Sequence, residues 1–321
     1  MNAHEVIEKV IAEHGHIDDI FWVACGGSLI DLYPAHYMVL RESKIASGWH
    51  TAAEFTCDVP ARLGEHSLVV VCSHSGNTRE AVEAATLAHE RGAAVIALTD
   101  SKGSKIDQDD FIVWVYPWGD GVPTAEVPLG ICPMIAAEVI RAQEGFEAYD
   151  ALVDGIAKMD GIIEAGKQKV NAELGARFAE LCQNHDFLYI LGSGPNFCQT
   201  YGFAICSLME MQWQNCSYIN SAEYFHGPFE CTENGVFYFL QLSAGSTRAI
   251  DERALAFLKT HTDTLMVLDA KDYGMDAVDA SVRSYLEPAL FYAMNVELRA
   301  ARGKVFDHDP DMRRYMGIET Y

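Results

Sequence analysis

The feature that most constrains the fold is a unit that occurs twice along the chain: a short apolar strand, a turn rich in glycine and serine, and a helix. The stretch FWVACGGS in the first half corresponds in kind to LYILGSGPN in the second, and VVVCSHSGNTREAVEAA corresponds to FYFLQLSAGSTRAIDERA. Strands that alternate with helices are typical of βαβ units and a parallel sheet. We therefore predict an α/β protein with two tandem domains, each a three-layer α-β-α sandwich with a mainly parallel sheet.

The length of the chain also favours two domains. It has 321 residues, whereas a single domain has roughly 100–200. A loop rich in proline and glycine over residues 117–128 leads into helical segments that extend to residue 182, and the junction is expected within them. The predicted domains are residues 1–160 and 161–305, followed by a C-terminal tail over residues 306–321.

The same patterns predict the individual elements. A second strand is expected to open at Lys44–Ile45. The other strands are predicted at residues 20–24, 67–72, 94–99, 111–116, 187–191, 216–219, 236–242 and 264–268. The main helices are predicted at residues 2–15, 29–42, 51–55, 79–91, 129–143, 197–211, 247–260 and 288–302.

Charge and cysteine usage restrict the function classes. The net charge of −23, from 46 acidic and 23 basic residues, argues against binding to nucleic acid or to an anionic membrane surface, because both need clustered basic residues. The nine cysteines form no CxxC pair, which favours a reducing compartment. The charged, amphipathic N-terminus is unlike a signal peptide, and no apolar run approaches the roughly 20 residues of a membrane span. We expect a cytoplasmic protein.

The strongest local signal is the turn SHSGNT, residues 73–78, between a predicted buried strand and an amphipathic helix. The hydroxyls of Ser73, Ser75 and Thr78 and the free amides of a helix N-terminus favour a bound anion there. The simpler alternative is that Thr78 only caps the helix. The GxxxxGK pattern is absent, so a sugar phosphate is favoured over a nucleotide.

The turn CGGS at residues 25–28 occupies the equivalent place after the first strand. Gly26 and Gly27 would let the backbone approach a ligand closely, although such turns also serve tight packing. The turn is not GxGxxG, which gives a dinucleotide little support.

A second cluster comprises Glu210, at the end of a mostly apolar helix, and the loop that contains Glu223 and His226. A carboxylate in apolar surroundings is expected to have a raised pKa and to act as a base near neutral pH, unless it faces solvent or a partner. Loop histidines are more often structural than catalytic, and Glu223 would either orient the ring or sit in a turn. Metal-binding spacings such as HExxH are absent, and we expect no metal and no cofactor.

Together, the ACGGS turn, the CSHSGNT turn and the EYFHGP loop resemble the sugar isomerase (SIS) domain family. The resemblance covers nearly the whole chain as two tandem SIS domains, similar to the isomerase half of glucosamine-6-phosphate synthase without its glutaminase half. The stretches MEMQW, EYFHGPFE, STRAIDERAL and RRYMGIETY are more similar to the bacterial deglycases of Amadori products, which split fructosamine 6-phosphates.

This resemblance implies roles for individual residues. Ser28, Ser73, Ser75 and Thr78 would bind the phosphate, with His74 beside them. Glu210 falls at the position of the catalytic carboxylate and His226 at that of the ring-opening histidine. The family also implies a homodimer with a shared active site, in which the histidine comes from either subunit, and a tail that covers the site.

One departure bears on the reaction. The tail from Asp307 onward has no lysine, whereas glucosamine-6-phosphate synthase has one there. A deglycase is therefore expected, with an aldose–ketose isomerase or aminotransferase of the glucosamine-6-phosphate type and a non-catalytic sugar-phosphate sensor as alternatives. Arg248, Arg313 and Arg314 are candidate contacts for a carboxylate of the substrate, although surface salt bridges would explain them equally well. The amino acid attached to the sugar, and its linkage to C1 or C2, stay open.

Overall fold

The chain forms two compact units in the computed structural model, which describes residues 1–320; Tyr321, the last residue of the predicted tail, lies outside the described part. The first unit is Met1–Ala157 and the second begins at Lys158. Their boundary falls inside helix α6 (Tyr149–Val170).

The first unit is built on a five-stranded sheet in which every neighbouring pair is parallel, in the order β2-β1-β3-β4-β5. Its strands are β1 (Asp19–Ala24), β2 (Ala46–Thr51), β3 (Ser67–Cys72), β4 (Ala94–Thr99) and β5 (Ile112–Val115). Its helices before α6 are α1 (Ala3–His14), α2 (Gly26–Glu42), α3 (Ala52–Cys57), α4 (Arg79–Glu90) and α5 (Pro128–Gln143).

Burial explains why the central strands are mostly apolar, with one polar residue at an end of each: Asp19, Ser67 and Thr99. Every residue of β1, β3 and β4 is buried, because parallel sheets are covered by helices on both faces. On one side α2 packs against α5, and on the other α3 packs against α4. Phe21 of β1 meets Phe55 of α3 edge to face at 5.7 Å between ring centroids, inside the α3–α4 layer of the core.

The second unit is built on a four-stranded sheet, also parallel throughout, in the order β7-β6-β8-β9. Its strands are β6 (Phe187–Gly192), β7 (Asn215–Asn220), β8 (Phe237–Leu242) and β9 (Leu265–Asp269). Its helices after α6 are α7 (Ala176–Asn184), α8 (Phe197–Gly202), α9 (Arg248–His261) and α10 (Arg283–Val305). The order repeats that of β2-β1-β3-β4, which confirms the predicted fold class of two α/β units with parallel sheets flanked by helices.

Several elements differ from their predicted form. Helix α2 begins at Gly26 rather than at Leu29, so that part of the predicted CGGS turn is helical. Strand β2 begins at Ala46 rather than at Lys44, and α10 begins at Arg283, so that Pro288 lies inside the helix rather than at its start. The predicted helix over residues 197–211 is α-helical only to Gly202, and Phe203–Met211 is a π-helix. Apolar periodicity does not distinguish a wide helical turn from an α-helical one, and such turns are common at functional sites.

The two longest helices, α6 with 22 residues and α10 with 23, both carry many charged side chains. Within residues 1–320, no helix combines the length and the apolar character needed to cross a membrane. All nine cysteines are free thiols.

Candidate functional site

The parallel order of the first sheet brings two of the predicted turns together. Strands β1 and β3 are neighbours, so the turns at their carboxyl ends emerge side by side. The backbone N–H of His74, in the β3–α4 turn (residues 73–78), donates at 3.3 Å to Ser28 Oγ. Ser28 belongs to the β1–α2 turn, which consists of Cys25 and the first residues of α2, 26–28. The predicted phosphate-binding residues therefore form one polar cluster at the carboxyl ends of β1 and β3, between which the strand order of the sheet reverses.

Within the β3–α4 turn the hydroxyls differ in exposure. Ser73 is buried and its Oγ donates to Thr78 Oγ1 at 3.1 Å. Ser75 is exposed, and its Oγ accepts from the backbone N–H of Asn77 at 3.2 Å. The Thr78 side chain does not cap the first turn of α4. A hydroxyl rim at an uncapped helix N-terminus is a favourable place for an anion.

The glycines of the β1–α2 turn leave the N-terminus of α2 open. Gly26 has φ +53°, and a Cβ atom added at either Gly26 or Gly27 would meet nothing within 4 Å. Both residues are exposed, and the α2 terminus has no side-chain cap. Packing therefore does not require glycine at these positions, whereas the positive φ of Gly26 itself favours glycine there.

His74 is held by two residues that the sequence did not single out. Its Nδ1 lies 3.1 Å from Tyr116 Oη, and its Nε2 lies 3.2 Å from Asp100 Oδ2. Burial raises the pKa of Tyr116 well above its ordinary value, so the phenol stays neutral and can donate its O–H to Nδ1.

The second sheet has an equivalent crevice between β6 and β8, but its turn is already occupied by side chains of the same unit. In the β8–α9 turn (residues 243–247), Ser243 Oγ donates to Glu287 Oε1 at 2.5 Å and the Ala244 N–H donates to Glu287 Oε2 at 2.8 Å. The Ser246 N–H donates to Ser284 Oγ at 3.1 Å. Donors that would meet an anion in this turn are satisfied by helix α10.

Two buried carboxyl groups lie behind the β8–α9 turn. Burial raises the pKa of Glu287 to about 7, and the nearby Asp251 adds to the rise. Burial likewise raises the pKa of Asp251 to about 6, although the hydroxyls of Ser221 and Ser193 and the Ser243 N–H favour its charged form. Protonation of these groups lowers the cost of burying them.

Arg248, the predicted contact for a substrate carboxylate, is used within the second unit. Its guanidinium binds both oxygens of Asp269, at 2.8 and 2.7 Å, and also donates to Glu252 and to the Ser243 carbonyl. These bonds use four of the five N–H groups of an arginine. A structural role therefore explains Arg248 better than a substrate contact.

Glu210 lies in the last turn of the π-helix, and its surroundings are not the apolar ones expected from the sequence. Its carboxylate Oε1 lies 2.7 Å from Arg313 Nε of the C-terminal tail, and 20% of its side chain is exposed. Sequence reasoning missed this pair because 103 positions separate the two residues. The structure thus gives the predicted base a charged partner.

His226 and Glu223 lie in the loop that follows β7, and both are exposed. The backbone N–H of His226 donates to the Glu223 carbonyl at 2.9 Å. The described residues supply no hydrogen-bond partner for the His226 ring, so the predicted orientation of that ring by the Glu223 carboxylate has no support. Glu223 sits in the turn, and the imidazole is accessible to a ligand.

Gly76 of the β3–α4 turn has both a left-handed backbone and close neighbours. It has φ +63°, and an added Cβ atom would lie 1.9 Å from Ser104 Oγ, whereas Gly103 has φ +76° and open space around it. We expect Gly103→Ala to lower the free energy of unfolding by about 1–2 kcal/mol, the cost of the left-handed backbone, and Gly76→Ala to lower it by clearly more. Urea unfolding of both variants checks this, and equal losses would contradict the tight packing described for the turn.

The buried acids predict a pH dependence of stability. Folded Glu287 holds its proton up to about pH 7, whereas its ordinary pKa is 4.5. The folded state is therefore favoured as pH falls through this window, and that stability is lost as pH rises toward 7. Urea unfolding between pH 5 and 8 should give a shallower slope for Glu287→Gln than for the parent, while Glu233→Gln, an exposed control, keeps the parent slope. An unchanged slope in Glu287→Gln would refute the assignment.

Comparisons with known proteins agree with this architecture. The SIS domain model matches residues 18–118. The chain is 38% identical to a fructosamine deglycase of Bacillus subtilis over 309 residues, 95% of this chain and 93% of the relative. It is 27% identical to a fructoselysine 6-phosphate deglycase of Escherichia coli, over 98% of this chain and 89% of that protein.

Solved structures extend the likeness. A phosphosugar isomerase candidate from Salmonella typhimurium superimposes with a TM-score of 0.92 at 33% identity, over 100% of this chain and 96% of the other. The C-terminal domain of glucosamine-fructose-6-phosphate aminotransferase from Francisella tularensis superimposes with a TM-score of 0.77 at 15% identity, over 96% of this chain and 90% of that domain. The latter supports the fold alone.

Three observations lead to one assignment: the matching strand order of the two parallel sheets, the SIS domain match over residues 18–118, and 38% identity to the fructosamine deglycase over 95% of this chain. The chain belongs to the SIS-domain family of phosphosugar isomerases, within the group that contains the fructosamine deglycases.

Proposed function

We propose that this protein is a fructosamine-6-phosphate deglycase, which splits an amino-acid adduct of fructose 6-phosphate into glucose 6-phosphate and the free amino acid. The observation that carries the proposal is the β3–α4 turn, whose hydroxyls and uncapped helix N-terminus suit a phosphate. The 38% identity to a fructosamine deglycase over nearly the full chain supports the choice of reaction within the family.

In this proposal the phosphate is bound by Ser28, Ser73, Ser75 and Thr78, with His74 beside it and Gly26 and Gly27 at the rim. A phosphate held in this way fixes C1 and C2 of the open-chain sugar in one orientation. Positioning of that kind is a substantial source of rate acceleration.

The first chemical steps are proton transfers. His226 assists ring opening by moving a proton at the ring oxygen. Glu210 then removes a proton from C1, and the electron pair of that bond forms the C1–C2 double bond while the C2 oxygen gains a proton. The product is an enolamine, and acid–base catalysis of this type contributes roughly 10²–10⁴-fold.

The remaining steps release the amine. The π electron pair of the C1–C2 double bond takes up a proton at C2, and the lone pair of the nitrogen forms a carbon–nitrogen double bond to C1. Water adds to C1 of this imine, and the carbon–nitrogen bond breaks as the nitrogen takes up a proton. The nitrogen leaves as the free amino acid, and C1 becomes the aldehyde carbon of glucose 6-phosphate.

Release of two products distinguishes this function from its alternatives. Incubation with the fructose 6-phosphate adducts of lysine, asparagine and other amino acids should release glucose 6-phosphate and the amine in equal amounts. An aldose–ketose isomerase would interconvert sugar phosphates without amine release. A non-catalytic sensor would bind the adducts and release neither product.

Two substitutions test the assigned residues. We expect Glu210→Gln and His226→Ala each to lower kcat by about 10²–10⁴-fold, because each removes a proton-transfer group, with no change in unfolding temperature. Amine release measured against Glu230→Gln, an exposed glutamate near the same loop, is the assay and control. Turnover of Glu210→Gln at the parent rate would contradict the mechanism.

The assembly and the domain limits belong to the same proposal. We propose domains over residues 1–160 and 161–305, with the tail over residues 306–321 covering the site, and a homodimer with a shared active site. Sedimentation measurements on the intact protein test the dimer.

A further inference from the structure

The C-terminal tail follows the segment that carries Glu210. His308 Nε2 donates to the Met211 carbonyl at 2.8 Å, and Gln212 Nε2 donates to the Pro310 carbonyl at 3.2 Å. The Trp213 ring meets the His308 ring edge to face at 4.6 Å between centroids. These contacts dock the tail on residues 211–213, directly after the proposed base.

The docked tail places one cation on Glu210. Arg313 Nε lies 2.7 Å from Glu210 Oε1, and Arg313 Nη1 donates to the Asp311 carbonyl at 3.0 Å. Asp311 is itself held by Arg299 at 2.8 Å. The guanidinium is thus bound to the tail backbone through Nη1 and to the carboxylate through Nε, while 39% of the Arg313 side chain is exposed.

The bond engages only one of the two carboxylate oxygens. Oε1 is held by Arg313, while the described residues supply no hydrogen-bond donor to Oε2. A carboxylate fixed through one oxygen keeps the lone pairs of the other in a defined direction. With 20% of the side chain exposed, the free oxygen remains accessible to a reacting C–H group.

From this geometry we propose that Arg313 is a positioning residue, which holds Glu210 through Oε1 so that Oε2 takes the proton from C1 of the sugar. The inference rests on the proposed deglycase function and adds a requirement to it: the tail must be docked for turnover. Arg313 acts through Glu210 and contacts no reacting atom.

The competing role for an arginine here is to bind the carboxylate of the substrate, and a matched pair of substrates separates the two. The fructose 6-phosphate adducts of glycine and of methylamine differ only by that carboxylate. A positioning residue affects kcat for both adducts equally. A carboxylate-binding residue affects only the glycine adduct, chiefly through KM.

The experiment compares the parent with Arg313→Ala, Arg313→Lys and Met312→Ala on both adducts, with amine release as the assay. Met312 is the exposed neighbour of Arg313 in the tail and controls for truncation of a long side chain. Unfolding temperatures verify that each variant is folded.

For Arg313→Ala we expect kcat to fall about 10- to 100-fold on both adducts, the usual effect of a misplaced catalytic group, with KM changed less than about threefold. Arg313→Lys should lie between, because lysine supplies the charge without the planar fork. Met312→Ala should match the parent. Guanidinium at millimolar, non-denaturing concentrations should restore part of the activity of Arg313→Ala.

A loss confined to the glycine adduct, a change in KM alone, or an equal loss in Met312→Ala would overturn the inference. If the parent and Arg313→Ala release amine at the same rate, the role of Arg313 is overturned and the proposed function stands. A parent that releases amine from no adduct would overturn both.

Discussion

Parallel pairing of β1 with β3 is the constraint on which the rest of the site depends. Because both strands run in the same direction and their helices leave on opposite faces, the turns after them emerge together at one edge of the sheet. The hydrogen bond from the His74 N–H to Ser28 Oγ joins those turns directly. An antiparallel partner would have placed one of the two turns at the far edge, and the hydroxyl cluster would not exist.

The second sheet repeats this constraint with a different outcome. Strands β6 and β8 are parallel neighbours, as β1 and β3 are. In the β8–α9 turn, however, the Glu287 carboxyl group of α10 accepts hydrogen bonds from the Ser243 hydroxyl and the Ala244 N–H. A buried carboxyl group there accepts the bonds that an anionic ligand would accept. The two units thus have the same strand order, but in the second unit the Glu287 side chain of α10 occupies the turn at the carboxyl end of β8.

Local patterns were sufficient for the fold class and for the β3–α4 turn, since strand, turn and helix are each encoded in a few consecutive residues. Contacts between distant residues were not predictable in this way. Tyr116 on His74, Glu287 on Ser243 and Arg313 on Glu210 each depend on how separate elements pack, and no spacing in the sequence records them. Of the alternatives predicted for Glu210, the structure favours a partner: the neighbouring residues in sequence are apolar, but the tail supplies Arg313 in space. The π-helical turns were missed because hydrophobic patterning does not report the width of a helical turn.

The central claim is that the β3–α4 turn anchors the phosphate of the sugar. A crystal structure of the protein with glucose 6-phosphate, the proposed product, tests it most directly. If the turn anchors the phosphate, its oxygens will lie within hydrogen-bond distance of the Ser75 and Thr78 hydroxyls and of backbone amides at the start of α4. Phosphate bound instead in the crevice between β6 and β8, with Glu287 displaced from Ser243 and Ala244, would contradict it.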